Sequence, residues 1–414
     1  MSLASSFPAI RPALLLDFAN AKTLDPRVTF TRASSATFYD KDGVLRTAAS
    51  GVPRFTFDPV TEESLGLLIE ESRTNLLLRS EEFNDAAWSK SNASVTANAT
   101  VAPDGTTTAD KYITNNGAST TSALIAQTVT TAAGVYTATF FAKAAEWTVI
   151  AVNFRDNASA ANQCTAKFSL ADGTVSSSPG ASGTFVAGSA SVSGVGNGWY
   201  RVSLTCTTTG ATAFQTRCWA ESTVVSTGDG TSGIFIWGAQ VEAGSFATSY
   251  IATAGSQVTR STDQASMTGA NFSSWYNNAE GTFYANFVTS WSAALPYTVG
   301  VLGANSANER INYIPAGSSG ISSFDGTTVR LLTSSVLNIN ARVATSLIAA
   351  TNQVSGTSNG ASVNTGSFSK TGVLSVFNIG NLSTSGGNAF SGTFKKIAYY
   401  PQRLTDAQLQ ALTA

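Results

Sequence analysis

Apolar and polar residues alternate with a period of two through much of the chain, the repeat of a strand that buries one face. Tyr136, Ala138, Phe140 and Ala142 fall on one side, with Thr137 and Thr139 on the other. Tyr200, Val202, Leu204 and Cys206 repeat the pattern against Arg201, Ser203 and Thr205. Pro103-Asp104-Gly105, Ala171-Asp172-Gly173 and Gly196-Asn197-Gly198 punctuate these runs as turns. Many short strands separated by turns predict an antiparallel sandwich or jelly roll over residues 75–252.

Before this region, residues 1–74 hold short β-like runs at Leu14 to Phe18, Val28 to Phe30, Ala36 to Tyr39, Val44 to Arg46, Arg54 to Phe57 and Leu65 to Glu70. Asp40-Lys41-Asp42-Gly43 and Asp58-Pro59 supply the reversals. Two-stranded ribbons are marginal alone, so this N-terminal β-hairpin arm is expected to lie on the next domain or on another chain. In the stretch Ile234 to Arg260, Ile234, Ile236 and Gly238 alternate with Phe235, Trp237, Ala239 and Val241, so both faces are apolar and the strand reads as buried. After Ile251 the small polar run predicts a linker over 253–266, open to proteolysis near Arg260.

A second sandwich is expected over 267–414, from runs at Thr282 to Trp291, Thr298 to Leu302, Arg310 to Ile314, Val329 to Leu332, Val343 to Ala349, Gln353 to Gly356, Leu374 to Ile379 and Thr393 to Tyr400. Phe283, Ala285 and Phe287 should face in, with Thr282, Tyr284 and Asn286 out. Asn359-Gly360 suits a tight turn at positive φ. At the end, Thr405 and Gln408 form a capping box, and Leu404 with Leu409 a hydrophobic staple, opening a short helix. The fold class is therefore all-β: two antiparallel β-sandwiches in series behind a hairpin arm, with boundaries at 1–74, 75–252, 253–266 and 267–414.

Composition narrows the chemistry. Of the 414 residues 43% are hydrophobic, enough for two cores, and only 12% are charged, against roughly 25% in ordinary soluble domains. A net charge of −1 gives no drive for phosphate binding, so nucleic acid is not an expected partner. The chain has no histidine, which removes the commonest general base and the usual transition-metal ligand. Cys164, Cys206 and Cys218 are an odd set without CxxC spacing and read as buried free thiols. No eighteen apolar residues run together and the start lacks a basic n-region, so a soluble chain without a signal peptide or membrane insertion is expected.

Several long strings carry a family resemblance: LLLDFANAKTLDPRVTFTRASSATFYDKDGVLRTA, GLLIEESRTNLLLRSEEFNDAAWSKSNASVTANATVAPDGTTTADK, NGWYRVSLT and IWGAQVEAGSFATSYIATAGSQVTR. Over roughly residues 14–275 the chain resembles tailed-phage and prophage virion proteins, described as fibre or head-spike proteins with a carbohydrate-binding-module-like jelly roll. AEGTFYANF and FSGTFKKIAYYPQRLTDAQLQALTA are similar in pattern to the laminin-G-like or concanavalin-A-like domains of such proteins. The resemblance implies a virion-surface protein made in the host cytoplasm. It implies host cell-surface polysaccharide and other virion proteins as partners, and a homotrimer. A structural role as capsid decoration or baseplate subunit is the alternative.

Glycosidic hydrolysis needs two carboxyl groups placed about 5 to 9.5 Å apart across the bond. The adjacent pairs Glu62-Glu63, Glu70-Glu71 and Glu81-Glu82 lie in the arm or its junction beside Arg54, Arg73 and Arg79, where ion pairing is the expected use. A non-enzyme is therefore expected. Glycan binding needs only an aromatic plate and fixed polar groups. Candidates are Trp147, Phe154, Arg155 and Trp219 in the first sandwich, and Trp291, Tyr297, Arg310, Tyr313 and Asp325 in the second. Each aromatic has the competing reading of a core side chain, and Trp199 and Trp237 are assigned to the core. No cofactor is expected. Calcium, held by many laminin-G-like domains, is left with Asp325 as its one obvious carboxylate between Met267 and Tyr400.

Overall fold

A computed structural model of the chain describes residues 10–210, 213–291, 299–305, 310–325, 327–336, 340–369, 373–382 and 389–414. Among the described residues the fold is all-β, with four large antiparallel sheets arranged as two sandwiches. The central sandwich has two six-stranded sheets. One, here the Trp237 sheet, runs in the order Phe185–Gly194, Trp199–Thr208, Gly134–Ala144, Gly233–Ala243, Ala109–Thr114, Ala93–Thr100. The other, the Trp219 sheet, runs Thr174–Ser182, Gln163–Ser169, Val149–Asp156, Ala213–Glu221, Leu124–Thr130, Ser89–Ser91. Between them lie Tyr136, Ala138, Phe140 and Ala142 together with Val202, Leu204 and Cys206, the faces that the alternation predicts.

The strand Gly233–Ala243 departs from simple alternation. Ile234, Ile236, Ala239 and Val241 all belong to the interior cluster, whereas Phe235 and Trp237 lie on the outer face. Gly238 causes this: at φ 57° it forms a bulge that shifts the register against Gly134–Ala144. A Cβ there would press on the Phe141 ring.

Cys164 and Cys206, on facing sheets, form a disulfide with Cα atoms 6.6 Å apart, and Cys218 is a buried free thiol. The expectation of three free thiols is thus corrected for two of them. Sequence spacing carries no information about which interior positions of two opposed sheets meet.

The terminal sandwich is assembled from both ends of the chain. Its eight-stranded sheet runs Asn364–Ser367, Gln353–Ser358, Asn340–Ile348, Glu280–Thr289, Gly392–Tyr400, Ser64–Ile69, Arg54–Phe57, with Leu14–Leu16 also paired to Gly392–Tyr400. Facing it is a seven-stranded sheet in the order Thr29–Thr31, Gln264–Thr268, Val376–Ile379, Val299–Asn305, Arg310–Ile314, Gly320–Phe324, Val329–Ser335. Leu14, Leu16, Phe18, Leu67 and Ile69 share one buried cluster with Phe283, Ala285, Phe287, Phe377 and Phe394. The N-terminal segment is therefore no separate arm, and burial within its own chain removes the physical reason for placing a second chain against it.

The expected linker is also corrected. Val258–Arg260 pairs with Arg73–Asn75, and Gln264–Thr268 pairs with Thr29–Thr31 and Val376–Ile379. A buried charge network binds the two crossings. Arg54 contacts Glu70 at 2.8 Å and Asp263 at 2.5 Å, Arg32 contacts Asp263 at 3.0 Å, and Arg260 lies 3.5 Å from Glu70. A small polar stretch orders here through ion pairs and ladder hydrogen bonds rather than apolar area.

Gly392–Tyr400 leads to the helix Asp406–Thr413, which carries the Thr405–Gln408 capping box. This helix covers the outer side of Glu280–Thr289, so Tyr284 is buried against Leu404, Leu409 and Leu412 instead of facing solvent. Asn359 and Gly360 have φ 49° and 73°, the left-handed conformations their turn requires.

Candidate functional site

The two outer faces of the central sandwich differ. That of the Trp237 sheet is covered: Phe141, Trp199, Trp237 and Tyr250 form a closed cluster with Leu45, and Tyr39 packs on it. The indole N–H groups of Trp199 and Trp237 donate to the Val101 carbonyl and to Thr108 Oγ1, each at 3.1 Å. Both tryptophans are core, as the sequence indicates.

The outer face of the Trp219 sheet carries a polar grid set by strand register. Along Ala213–Glu221 the alternate residues Gln215, Arg217, Trp219 and Glu221 are half-buried. Opposite them on Val149–Asp156 stand Arg155, Asn153, Ala151 and Val149, and beyond these on Gln163–Ser169 stand Gln163, Thr165, Lys167 and Ser169. Ala126 sits on the other side of Arg217. Ala151 and Ala126 are fully buried without belonging to the interior cluster. They are small residues paired across the ladder with Trp219 and Arg217.

Trp219 is fixed in this grid. Its indole N–H donates to Glu221 Oε1 at 2.8 Å, and Lys167 Nζ meets the other oxygen, Oε2, at 2.8 Å. Asn153, only 1% exposed, donates to Thr165 Oγ1 at 2.7 Å and Gln163 Oε1 at 3.2 Å, while its Oδ1 has no partner. Arg217 donates through Nε at 2.8 Å and through Nη2 to Gln215 Oε1. Burial, and then the positive charge of Arg155, hold the Arg217 guanidinium down at about 10. An aromatic plate bordered by fixed donors and acceptors suits a sugar ring, whose faces carry C–H groups and whose edge carries hydroxyls.

The structure thus places Arg155 and Trp219 on one face, Arg155 opposite Gln215 and Trp219 four residues further along that strand, and it corrects others. Phe154 is 1% exposed and packs on Phe214 and Phe185; Trp147 is 5% exposed in the same core. Trp291 is 2% exposed between Phe246 and Phe390. None of the three presents a plate. Asp325 accepts from the backbone N–H of Thr327, Thr328 and Ser369 at 2.8 to 3.3 Å. Burial would raise its carboxyl, but these bonds outweigh burial and hold it at about 2. Its oxygens serve a turn, and no group of three or more potential metal ligands forms among the described residues. Arg310 and Tyr313 lie on the strand Arg310–Ile314, with side chains outside the described set, and Tyr297 lies outside the described residues. Sequence reasoning does not single out Asn153, Gln215 or Arg217, although Arg217 and Trp219, two apart on one strand, share a face by alternation.

In two other hollows the cations are engaged by the protein itself. One of about 560 Å³ is lined by Asp17, Tyr284, Asn286, Arg342, Lys395 and Lys396, but Lys395 pairs with Glu63 and Lys396 with Asp17, each at 3.0 Å. Another of about 390 Å³ lies between the sandwiches beside Phe38, Tyr39, Phe57 and Arg201. There Arg201 donates to the Thr248 carbonyl at 2.7 Å and to Thr139 Oγ1 at 3.1 Å.

No family model matches the chain, and no curated protein does. Solved structures with likeness include carbohydrate-binding modules, a laminin domain pair and the NanB sialidase of Streptococcus pneumoniae. The CBM40 module of Ruminococcus gnavus IT-sialidase, bound to α2,3 sialyllactose, is 19% identical over 35% of this chain and 88% of that one, with a TM-score of 0.28. The N-terminal CBM22-1–CBM22-2 tandem domain of Paenibacillus barcinonensis Xyn10C is 9% identical over 83% of this chain and 96% of that one, with a TM-score of 0.26. Domains LG4-5 of the mouse laminin α1 chain are 8% identical over 78% of this chain and 94% of that one, with a TM-score of 0.21. At this distance no residue role is carried over, and the site stands on its own geometry.

Proposed function

We propose that the chain is a glycan-binding protein that holds sugar on the open face of the Trp219 sheet without hydrolysing it. The observation that carries this reading is a half-buried tryptophan, fixed by Glu221, on the uncovered face of a β-sandwich among polar side chains held in register. Within that grid Glu221 is the single carboxylate, and both its oxygens are engaged, which leaves no acid and base pair to flank a glycosidic bond. The resemblance of residues 14–275 to phage fibre and head-spike proteins supports a place on a virion surface, with host polysaccharide as the ligand. A homotrimer rests on that resemblance alone, and light scattering at micromolar concentration measures it. The full chain applied to a glycan array is expected to retain a defined set of saccharides. Trp219→Ala should abolish retention while the protein still melts cooperatively. Absence of binding by the wild-type chain, or unchanged binding by the variant, would overturn the assignment.

A further inference from the structure

Carboxylates do not balance the cations of this face. Of its three cations, Lys167 is paired with Glu221. Arg155 and Arg217 have no carboxylate partner among the described residues, although the whole chain carries a net charge of −1. They stand on adjacent strands: Arg155 is directly opposite Gln215, two residues from Arg217. Arg217 holds one neutral acceptor, the Gln215 amide oxygen, through Nε and Nη2, and its remaining edge is free of protein acceptors among the described residues. Asn153, directly opposite Arg217, is buried with its Oδ1 acceptor unpartnered, an atom that suits a sugar hydroxyl beside the charged substituent. Two guanidinium groups this close repel, and partial burial strengthens the repulsion. Natural folds neutralise such pairs, as this one does around Arg32, Arg54 and Arg260 with Glu70 and Asp263.

We infer that the Arg155–Arg217 pair is the seat for an anionic substituent of the glycan, a carboxylate or a sulfate, so that the ligand is an acidic saccharide. This rests on the glycan-binding reading of the same face. Guanidinium groups recognise planar or tetrahedral oxyanions through paired N–H donors, and a ligand anion would relieve the repulsion between the two arginines. Alternate residues of a strand are about 7 Å apart, so a ring stacked on Trp219 brings a charged substituent within reach of Arg217. An acidic saccharide is favoured over a nucleic acid because the cations are confined to one pair beside one aromatic plate, without the extended basic track that a phosphate backbone requires.

The test uses the full chain on an array that carries uronate-bearing and sulfated saccharides, each beside its carboxyl-reduced or desulfated counterpart. The acidic members are expected to bind about tenfold to a hundredfold more tightly than their neutral counterparts, with affinity falling as salt rises. Arg155→Gln and Arg217→Gln should each erase that preference and the salt dependence, with unchanged melting temperature. The carboxyl-reduced and desulfated arms tell which oxyanion is held. Equal binding of acidic and neutral members, or a preference that survives both substitutions, overturns the anion seat while the glycan-binding face stands. Loss of all binding in Trp219→Ala with no acidic preference in the wild type likewise overturns the anion seat alone. A wild-type chain that holds no saccharide overturns the face itself.

Discussion

Glu70 ties together Arg54, Ser249, Arg260 and Asp263 through its two oxygens and its backbone. Its carboxylate accepts from the Ser249 N–H and hydroxyl at 2.6 Å each and pairs with Arg54 and Arg260, while its backbone exchanges hydrogen bonds with Asp263. Burial alone would raise this carboxyl, but Arg260, Arg54 and Ser249 outweigh it and hold the group at about 2, below its ordinary value of 4.5. Because the folded-state value is the lower one, the stabilisation is present in full above the ordinary value and fades as pH falls toward 2. Glu70→Gln leaves Arg54 and Arg260 short of a counter-charge in a buried site, at an expected cost of roughly 3–5 kcal/mol. Denaturant titration of the variant and the wild type should show this gap constant from pH 5 to 8 and closing at lower pH. A gap that does not narrow on acidification would show that Glu70 acts through packing alone.

Elements in this fold are specified by different physical means. The helix Asp406–Thr413 forms where its cap residues say it should, since Thr405 and Gln408 satisfy terminal N–H groups from three residues away. Strands of the central sandwich follow alternation until Gly238 adds a bulge, and the glycine, the one residue with no Cβ to meet the Phe141 ring, is its visible signature. The strand Ser64–Ile69 depends on a partner that sequence cannot locate, because its mate Gly392–Tyr400 lies more than three hundred residues away. Gly66 marks the contact: at φ 86° it lets the Phe394 carbonyl approach where a Cβ would collide. The Cys164–Cys206 bridge ties the two sheets of the central sandwich across a sequence separation of 42 residues, for which loop-closure entropy gives about 4 kcal/mol. Melting in the presence of a reductant should lower the transition of the central sandwich accordingly and leave that of the terminal sandwich in place. Equal transitions with and without reductant would show that the bridge adds no stability.

At the scale of the whole molecule the central sandwich is an insertion in the terminal one. The chain enters it after Arg73–Asn75 and leaves it at Val258–Arg260, and these two strands pair with each other at the crossing. Residues 76–251 hold the whole central core, from Leu77 to Val241, and should fold when expressed alone, although the Phe141, Trp199 and Trp237 cluster loses Leu45 and Tyr39. Residues 267–414 alone lack Leu14, Leu16, Phe18, Leu67 and Ile69 from their core and should fail to fold. Circular dichroism melts of the two fragments check both outcomes. A cooperative transition from 267–414 alone would show that the N-terminal strands are dispensable. Arg260 is 1% exposed, so limited proteolysis of the intact chain should leave that position uncut.

The alternation of side chains by itself determined the all-β class, the interior faces of the central strands, the core placement of Trp199 and Trp237, and the capped helix. These are local consequences of period and capping, readable within a few residues. It also singled out Arg155 and Trp219, but with no means of separating them from Phe154, Trp147 and Trp291, since an aromatic in a strand looks the same whichever side it faces. Tertiary structure decided that separation by turning Phe154, Trp147 and Trp291 into the two cores and leaving Trp219 half-buried on an outer face. It also decided that the N-terminal strands complete a sheet with the C-terminal ones, that the polar stretch before Met267 is held by buried ion pairs, and that two cysteines meet. Each of these depends on contacts between residues far apart in the chain, where pairing energy is set by which surfaces meet and no local pattern records the partner.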